Sequence, residues 1–390
     1  MKIGIMTFWW DEDNYGQTLQ CYALQKYLRD AGHDAYLIRY DPRNDFIKSS
    51  VWSKIVKAFN PIELYKFLLH LYKNSLYKKR IIADIREKRD HPRDFDKFMD
   101  KYIIRSERKY SSYIELVENP PAADVYIVGS DQVWNAGIFG KTSKVRNIVY
   151  SYFLNFGDSS IKRVSYAASF GKEKEELDDD FIGVATVLLK KFDYISVREK
   201  SGLEICKQCG FNNAEWVPDP TLLLEKDIYR FLYRNEGTIR KSDKPYCFLY
   251  LVGNSIEFSL ETIYEWAKSK NIGVLYVTAN LRQDEFVKTY ATIPEWIYLL
   301  EHAEYVITNS YHCTIFSLLF EKNFGIIPLI GKNTRFSSLF QLFDIGNRFI
   351  SADFSILNME IDWQSISNTF ENIRNSCYFS KIIDGVIECL

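Results

Sequence analysis

Residues 305–320 read YVITNSYHCTIFSLLF, an apolar stretch with three polar residues, Asn309, Ser310 and His312, at its centre. The first four residues have the length and β-branched content of a buried strand, and the last six have the pattern of a helix. The residues between them are therefore predicted to form a strand-to-helix turn. In open α/β sheets such turns lie at the carboxyl edge of the sheet, where ligands bind.

The same alternation of strands and helices recurs along the chain. At the start, a strand over 2–8 precedes a helix over 17–31, which Gly32 ends, and a strand over 33–40 follows. Such βαβ units indicate parallel sheets. Further strands are predicted at 124–129, 163–169, 194–197 and 215–217, and then at 246–252, 273–278, 305–308 and 325–329.

These elements predict an α/β fold with two Rossmann-like domains in a GT-B-like arrangement. The N-terminal domain covers 1–225, with a helical basic insertion at about 42–112. A polar linker covers 226–243, and the C-terminal domain covers 244–390, with its last helix a candidate to pack back on the first domain. We expect the ligand in the cleft between the two domains.

Composition narrows the class of protein. The 390 residues suffice for two domains, and 47% hydrophobic with 26% charged residues is typical of a globular chain. The net charge of −1 argues against a nucleic-acid binder with a uniformly basic surface. No apolar run approaches the roughly 18 residues of a membrane span, and the first residues do not resemble a signal peptide. We therefore expect a cytoplasmic protein.

The cysteines and histidines do not indicate a metal site. Seven cysteines at irregular spacing are typical of reduced, buried thiols, and the single CxxC, Cys206 to Cys209, has no second pair. A metal or redox role for that CxxC is the less favoured alternative. Five scattered histidines are too few for a metal cluster. We expect neither a metal nor a bound cofactor.

Residues 48–80 depart from this composition, because they carry eight Lys or Arg side chains against one acid, Glu63, with aromatic residues and leucines between them. This pattern predicts one or two basic amphipathic helices. They either pack their apolar face on the protein body or rest on an anionic membrane surface, which would place the protein at the inner face of the membrane. Nucleic-acid binding is not expected, since no base-reading module accompanies the segment.

Polar residues follow many of the predicted strands, and loops at that edge of a parallel sheet converge on one crevice. The candidates are Asn14, Tyr15, Gly16, Gln17, Ser130, Asp131, Gln132, Trp134, Arg198, Glu199, Asp219, Asn309, Ser310 and His312. A single such residue is usually only a helix cap. Their number favours a shared site.

Two of these side chains suit an anion. His312, in the first turn of a helix, lies near unpaired N–H groups and the positive end of the helix dipole. Its alternative role is a hydrogen-bonded histidine that fixes the turn. Arg198 offers a planar fork to carboxylate or phosphate, and its alternative is a salt bridge to Glu199 or another acid.

Three further features have weaker signals. Asp131, with Trp134 nearby, is a candidate general acid or base, or it caps the following turn. Lys332 and Arg335 either close on an anion from the second domain or belong to a solvated loop. The Asn14–Gly16 turn lets backbone N–H groups approach an anion, but it lacks the GxGxxG spacing of a dinucleotide site.

Taken in order, these segments match a known family. The matching blocks are KIGIMTFWWDEDNYGQTLQCYALQKYL (2–28), ADVYIVGSDQVWN (123–135), SYAASFG (165–171), ISVREKSG (195–202), PDPTLLL (218–224) and VITNSYHCTIFSLLF (306–320). The segment RFSSLFQLFDI (335–345) is similar to a late arginine-led helix of that family. The chain resembles the polysaccharide pyruvyl transferase family over most of its length, outside the insertion.

The resemblance implies transfer of a pyruvyl group from phosphoenolpyruvate to two hydroxyls of a sugar, with formation of a cyclic ketal and release of phosphate. It implies a capsule or exopolysaccharide precursor as acceptor, carried on a lipid. Some members carry Arg-Leu-His-Gly where this chain has Ser310-Tyr311-His312-Cys313. Two alternatives stay open, a GT-B glycosyltransferase that uses a nucleotide sugar and a non-catalytic polysaccharide-assembly protein.

The positions of the residues and the resemblance together assign their roles, and the resemblance itself covers Asp131, Arg198, His312 and Arg335. Asp131 and His312 are the expected acid–base residues. The expected donor-binding residues are Arg198, Ser310, His312, Lys332 and Arg335, and the expected acceptor-binding residues are Asn14, Tyr15, Gly16, Gln17, Gln132 and Trp134.

Overall fold

The computed structural model describes residues 1–9, 14–45, 86–87, 89–237, 239–253, 258–278, 284–328, 334–351 and 353–376. The basic segment 48–80 and Lys332 lie outside these ranges. Within them, no helix is both long enough and apolar enough to cross a membrane.

The first domain is a parallel sheet with helices between its strands. Its strands are β1 (Lys2–Met6), β2 (Asp34–Tyr40), β3 (Arg105–Tyr110), β4 (Val125–Val128), β5 (Lys162–Ser165), β6 (Ser196–Val197) and β7 (Glu215–Trp216). Its helices are α1 (Tyr15–Asp30), α2 (Phe95–Tyr102), α3 (Tyr113–Glu118), α4 (Arg146–Tyr152), α5 (Asp179–Leu189) and α6 (Lys200–Gln208). The strand order is β3-β2-β1-β4-β5. Strands β6 and β7 form a separate parallel pair, which isolated bridges join to β5 and to the residues that follow β5.

The second domain repeats this construction with a smaller parallel sheet. Its strands are β8 (Tyr246–Leu251), β9 (Gly273–Thr278), β10 (Tyr305–Thr308) and β11 (Asn323–Ile326), in the order β11-β10-β8-β9. Its helices are α8 (Leu260–Ser269), α9 (Ile293–Glu301), α10 (Tyr311–Leu319), α11 (Thr334–Phe343) and α12 (Trp363–Asn375). The protein is thus built of two Rossmann-like domains in a GT-B-like arrangement, as predicted.

The central strands are buried on both faces, which explains their continuous apolar sequences. All six residues of β8, YCFLYL, and all four of β4, VYIV, are buried. Helices cover both faces of such a parallel sheet, so no side of the strand remains for polar residues.

The two domains share one hydrophobic core where α1 meets the second sheet. The Tyr15 hydroxyl donates to the Ala291 carbonyl oxygen at 2.6 Å, and its ring stacks on Trp296 with 5.4 Å between centroids. Aromatic pairs of this kind contribute about 0.5–1.5 kcal/mol beyond the area they bury. The amino-terminal end of α1 is therefore held against the second domain.

Two segments differ from the sequence prediction. The polar linker contains a helix, α7 (Lys226–Arg234), and Glu301 of α9 accepts hydrogen bonds from Arg230 at 2.7 Å and Tyr233 at 2.8 Å. The predicted insertion contains β3, which forms the edge of the first sheet. Its sequence, RSERKY, exposes most side chains, as is common for edge strands, so it lacks the apolar alternation that marks a strand.

The last described helix, α12, lies against two other parts of the chain. It packs on α11 of its own domain and on the short 3-10 turn Pro220–Leu222. That turn belongs to the sequence range of the first domain.

Five cysteines fall within the described ranges, and all of them are free and buried. They are Cys21, Cys206, Cys209, Cys247 and Cys313. Burial raises the pKa of the Cys21 thiol to about 12, which keeps it protonated at neutral pH.

Candidate functional site

The carboxyl edges of the two sheets meet at one cluster of mostly charged side chains. Its members are Ser130, Asp131, Arg198, Glu199, Asp219, Tyr311, His312 and Arg335. In each sheet the strand order reverses at the first strand of the domain, between β1 and β4 and between β8 and β10. Ligands of α/β sheets bind outside the carboxyl ends of strands at such a point. Arg198 follows β6 of the first domain, and His312 lies in the first turn of α10 in the second. Both reach the same oxygen, Oδ2 of Asp219, at 3.0 and 3.4 Å.

Arg198 is fully buried and faces three carboxylates. Its Nη1 lies 3.0 Å from Asp219 Oδ2, its Nη2 lies 3.8 Å from Asp131 Oδ1, and its Nε lies 3.9 Å from Glu199 Oε2. Nη1 also donates to the Ser130 hydroxyl oxygen at 3.2 Å. Burial alone would lower the pKa of the guanidinium, but Asp219 and Asp131 raise it above its ordinary value. Arg198 is therefore a buried, charged group.

Asp219 is held by donors on both of its oxygens. Oδ1 accepts from the Thr221 backbone N–H at 3.0 Å and from the Thr221 hydroxyl at 2.7 Å. Oδ2 accepts from the Ser130 hydroxyl at 2.8 Å and from Arg198 at 3.0 Å. Burial would raise the pKa of this carboxyl, yet His312 and Arg198 hold it well below its usual value. Asp219 is therefore ionised across the neutral range.

Two guanidinium groups lie against the ring of Tyr311, the first residue of α10. The Cζ atom of Arg198 is 4.8 Å from the ring centroid, and that of Arg335, in α11, is 5.8 Å away. Burial and the nearby Arg198 charge both lower the pKa of Arg335. The ring thus gathers one cation from each domain, a contact worth about 0.5–2 kcal/mol.

Gly16 allows α1 to touch the imidazole of His312. A Cβ atom placed on Gly16 would lie 2.2 Å from Nδ1 of His312 and 2.5 Å from its Cγ. The ring nitrogens therefore face the Gly16 backbone on one side and Asp219 on the other. Only glycine leaves room for this approach.

Asp131 occupies an unusual backbone conformation at the edge of the cluster. Its φ is +80°, a region that few residues other than glycine adopt and that is often found at functional sites. Its Oδ1 accepts from the Gln132 N–H at 2.8 Å. The Asp131 side chain is 10% exposed, whereas those of Glu199 and Asp219 are fully buried. Of these three carboxylates, Asp131 is the one that reaches solvent.

The other predicted site residues lie outside the cluster contacts, as helix caps or as buried and half-buried polar groups. Ser310 caps α10 by accepting from the Cys313 N–H at 3.4 Å, and Asn14 caps α1 by accepting from the Gln17 N–H at 3.1 Å. Gln17 is itself buried. Gln132 is half-buried and accepts from Asn135 at 3.0 Å.

Two predicted acceptor contacts need correction. The Trp134 ring is buried in the core, stacked on Phe153 with 4.9 Å between centroids, and its Nε1 donates to the Tyr152 carbonyl oxygen at 3.1 Å. The Tyr15 ring is buried between the domains. Both rings are packing groups and present no face to a sugar.

Sequence reasoning gave no role in catalysis or binding to three members of the cluster. Glu199 was named only as a strand-end residue and as a possible salt-bridge partner of Arg198, Asp219 only as a strand-end residue, and Tyr311 was not a candidate. Glu199 is fully buried, and its Oε1 accepts from the Ser169 hydroxyl and the Gly171 N–H, both at 2.9 Å. The only local signal was Asp219-Pro220-Thr221, an Asx-type cap that shows nothing of its distant partners.

The protein also has a cavity of about 970 Å³ away from this cluster. It lies between α1, α7 and the segment that joins α2 to β3, and Tyr22, Tyr102 and Phe231 are among its lining residues. None of the predicted site residues lines it. The charged cluster, by contrast, is mostly buried, since the Arg198 side chain has no exposed surface and that of Asp131 is 10% exposed.

Comparison with known proteins identifies the family. The sequence model of the polysaccharide pyruvyl transferases matches residues 14–328. The chain belongs to the polysaccharide pyruvyl transferase family. The match includes every member of the cluster except Arg335, which lies just beyond it. No curated protein sequence matches the chain.

Several solved structures resemble the fold at low identity. UDP-GlcNAc 2-epimerase from Methanocaldococcus jannaschii is 12% identical, with 96% of this chain and 93% of that one covered and a TM-score of 0.47. An alpha-glucosyltransferase solved with UDP and DNA is 10% identical, with 99% of each chain covered and a TM-score of 0.48. The glycosyltransferase SsfS6 from Streptomyces sp. SF2575 is 10% identical, with 96% and 95% covered and a TM-score of 0.40.

Proposed function

We propose that the protein transfers the pyruvyl group of phosphoenolpyruvate to two hydroxyls of a sugar in a cell-surface polysaccharide precursor, forming a cyclic ketal and releasing phosphate. The observation that carries the proposal is the meeting of Arg198 and His312, from opposite domains, on Asp219, with Arg335 beside them. Family membership supplies the reaction class.

The donor needs cations, because phosphoenolpyruvate carries both a carboxylate and a phosphate. Within the described part of the chain, Nε and Nη2 of Arg198 have no hydrogen-bond partner, although both are buried. A buried, unsatisfied donor costs about 1–3 kcal/mol, which an anion bound there would recover. Arg335, against the same Tyr311 ring, and the first N–H groups of α10 add positive charge near Arg198.

The reaction requires one proton to be added to the enol carbon and two protons to be removed from the sugar hydroxyls. One sugar hydroxyl adds to C2 of the enol phosphate and gives up its proton to a base, while C3 gains a proton and becomes a methyl group. The C2–O bond to phosphate then breaks, the second hydroxyl attacks C2, and its proton leaves with the phosphate. We assign Asp131 to these proton transfers, because its carboxylate lies beside Arg198 and reaches solvent.

His312 is assigned to holding the donor and to the proton balance of the site. Its ring lies between Gly16 and Asp219, so it is fixed at the point where the two domains meet. The acceptor is proposed to be lipid-linked, with the basic segment 48–80, outside the described residues, at an anionic membrane surface.

The direct test combines the protein with phosphoenolpyruvate and lipid-linked sugars. We expect phosphate release in equal amount to acceptor that has gained a pyruvyl ketal, measured by mass spectrometry. Acceptor in anionic vesicles should react faster at low salt than at high salt if the membrane is a partner. Release of nucleotide from a nucleotide sugar would favour a glycosyltransferase instead, and no reaction with any acceptor would favour an assembly protein.

Arg335→Ala is expected to raise the KM for phosphoenolpyruvate roughly ten- to hundredfold, the loss of one or more charge-assisted hydrogen bonds. The free energy of unfolding should fall by no more than about 2 kcal/mol, the worth of the contact with the Tyr311 ring, since no described carboxylate lies within ion-pair distance of Arg335. Steady-state kinetics and chemical denaturation measure the two quantities. Arg146→Ala, which removes an exposed arginine paired with Asp180, is the control. An unchanged KM would remove Arg335 from the donor site.

A further inference from the structure

One carboxylate oxygen is contacted by polar side chains from three distant segments. Oδ2 of Asp219 lies 2.8 Å from the Ser130 hydroxyl after β4, 3.0 Å from Arg198 after β6, and 3.4 Å from His312 Nε2 on α10. Ser130 and Arg198 belong to the first domain and His312 to the second. This oxygen is therefore a point of contact between the domains.

The same carboxylate has no capacity left for a substrate. Oδ1 already accepts two hydrogen bonds from Thr221, and Asp219 is fully buried. A carboxylate has about four lone-pair positions, and the four hydrogen bonds from Thr221, Ser130 and Arg198 occupy them. Asp219 can therefore act on bound phosphoenolpyruvate only through the side chains that it holds.

We propose that Asp219 is a positioning residue, which holds Arg198 of the first domain and His312 of the second in the arrangement that binds the anionic donor. This proposal rests on the proposed function, and it adds a residue to which that function assigned no role. The negative charge of Asp219 also offsets part of the cost of burying the Arg198 guanidinium.

Asparagine cannot replace Asp219 at this position. If its amide oxygen faces Thr221, its NH₂ group points at the Arg198 guanidinium, which has donors only. If the amide is reversed, the NH₂ group meets the Thr221 backbone N–H instead. Either orientation sets donor against donor, so Arg198 and His312 must move although the side chain keeps its size.

The test compares Asp219→Asn with Asp45→Asn. Asp45 is also buried in the first domain, where it accepts from Tyr40 and from the Tyr113 N–H, both at 2.6 Å, and it contacts no member of the cluster. We expect the KM for phosphoenolpyruvate to rise at least tenfold for Asp219→Asn and to stay within twofold for Asp45→Asn. A purely structural role would lower the amount of active enzyme, and thus the apparent kcat, without changing the KM. An unchanged KM in Asp219→Asn overturns the proposal.

Ser130→Ala provides a milder variant if Asp219→Asn does not fold. It removes one hydrogen bond to Oδ2 but keeps the carboxylate, so we expect a rise in KM of about three- to tenfold. An unchanged KM in this variant also overturns the proposal. If the wild-type protein neither binds nor uses phosphoenolpyruvate, the proposed function fails. Crystal structures of the variants then decide the positioning role, which is wrong if Arg198 and His312 keep their places.

Discussion

Replacing Arg198 by alanine is expected to lower the free energy of unfolding by about 3–5 kcal/mol, the cost of breaking a buried ion pair by removing one partner. The guanidinium faces Asp219, Asp131 and Glu199, and its side chain is fully buried. Without it, the two fully buried carboxylates, Asp219 and Glu199, lose a nearby positive charge. Equilibrium unfolding in urea measures the loss.

The effect of Arg198→Ala on stability should also depend on pH, in a direction that the pKa of Asp219 fixes. The folded-state pKa of Asp219 lies below its ordinary value of 3.8, and Arg198 is one of the groups that lower it. This contribution to stability is therefore present above that pH and is lost as the pH falls. In Arg198→Ala the loss on acidification should be smaller, because the folded-state pKa moves up toward the ordinary value.

Arg335→Ala is the matched comparison, since Arg335 lies against the same Tyr311 ring but pairs with no described carboxylate. A loss below about 1 kcal/mol in Arg198→Ala, as for an exposed ion pair, would mean that the cluster opens to solvent.

The expected loss of stability in Arg198→Ala also affects any test of donor binding with this variant. A poorly folded Arg198→Ala protein gives a low rate whatever the role of Arg198, so Arg335→Ala tests the donor site more cleanly.

The fold could be predicted from the sequence because its signals are local. β9 and β10 have the predicted bounds, since buried parallel strands are continuous apolar runs between polar turns. The helix after β10 begins at Tyr311, a few residues before its apolar run, because Ser310 caps it. In contrast, β3 carries no apolar pattern and was assigned to the insertion.

The site could be predicted only in part, because residue type does not show what a side chain contacts. Topology brought Arg198 and His312 together, as expected for two carboxyl edges that face each other. Asn309, the first polar residue after β10, instead accepts from the Val252 N–H at 2.7 Å and donates to its carbonyl oxygen at 2.9 Å. Its amide therefore continues the sheet. Trp134 was likewise a candidate because it follows the predicted strand at 124–129, but its ring is buried in the core.

Gly16→Ala is expected to reduce activity about a hundredfold, since misplacement by about 1 Å has effects of that size on catalysis. The added methyl group would lie 2.2 Å from Nδ1 of His312, so either the imidazole or the start of α1 must move. The buried Tyr15, which precedes Gly16 in the chain, ties that end of α1 to Ala291 and Trp296 of the second domain. Movement of α1 would therefore also disturb the contact between the domains.

Stability distinguishes this clash from a helix effect. Alanine in place of a helical glycine normally stabilises a protein by roughly 0.5–1 kcal/mol. At Gly16 we expect the opposite sign, a loss of about 1–3 kcal/mol from overpacking. Gly183→Ala, within α5, is the control, because a Cβ there meets no atom within 4 Å and should slightly stabilise the protein. If Gly16→Ala were as stable and as active as Gly183→Ala, the first turn of α1 would not lie against His312, and the two domains would not meet at this histidine.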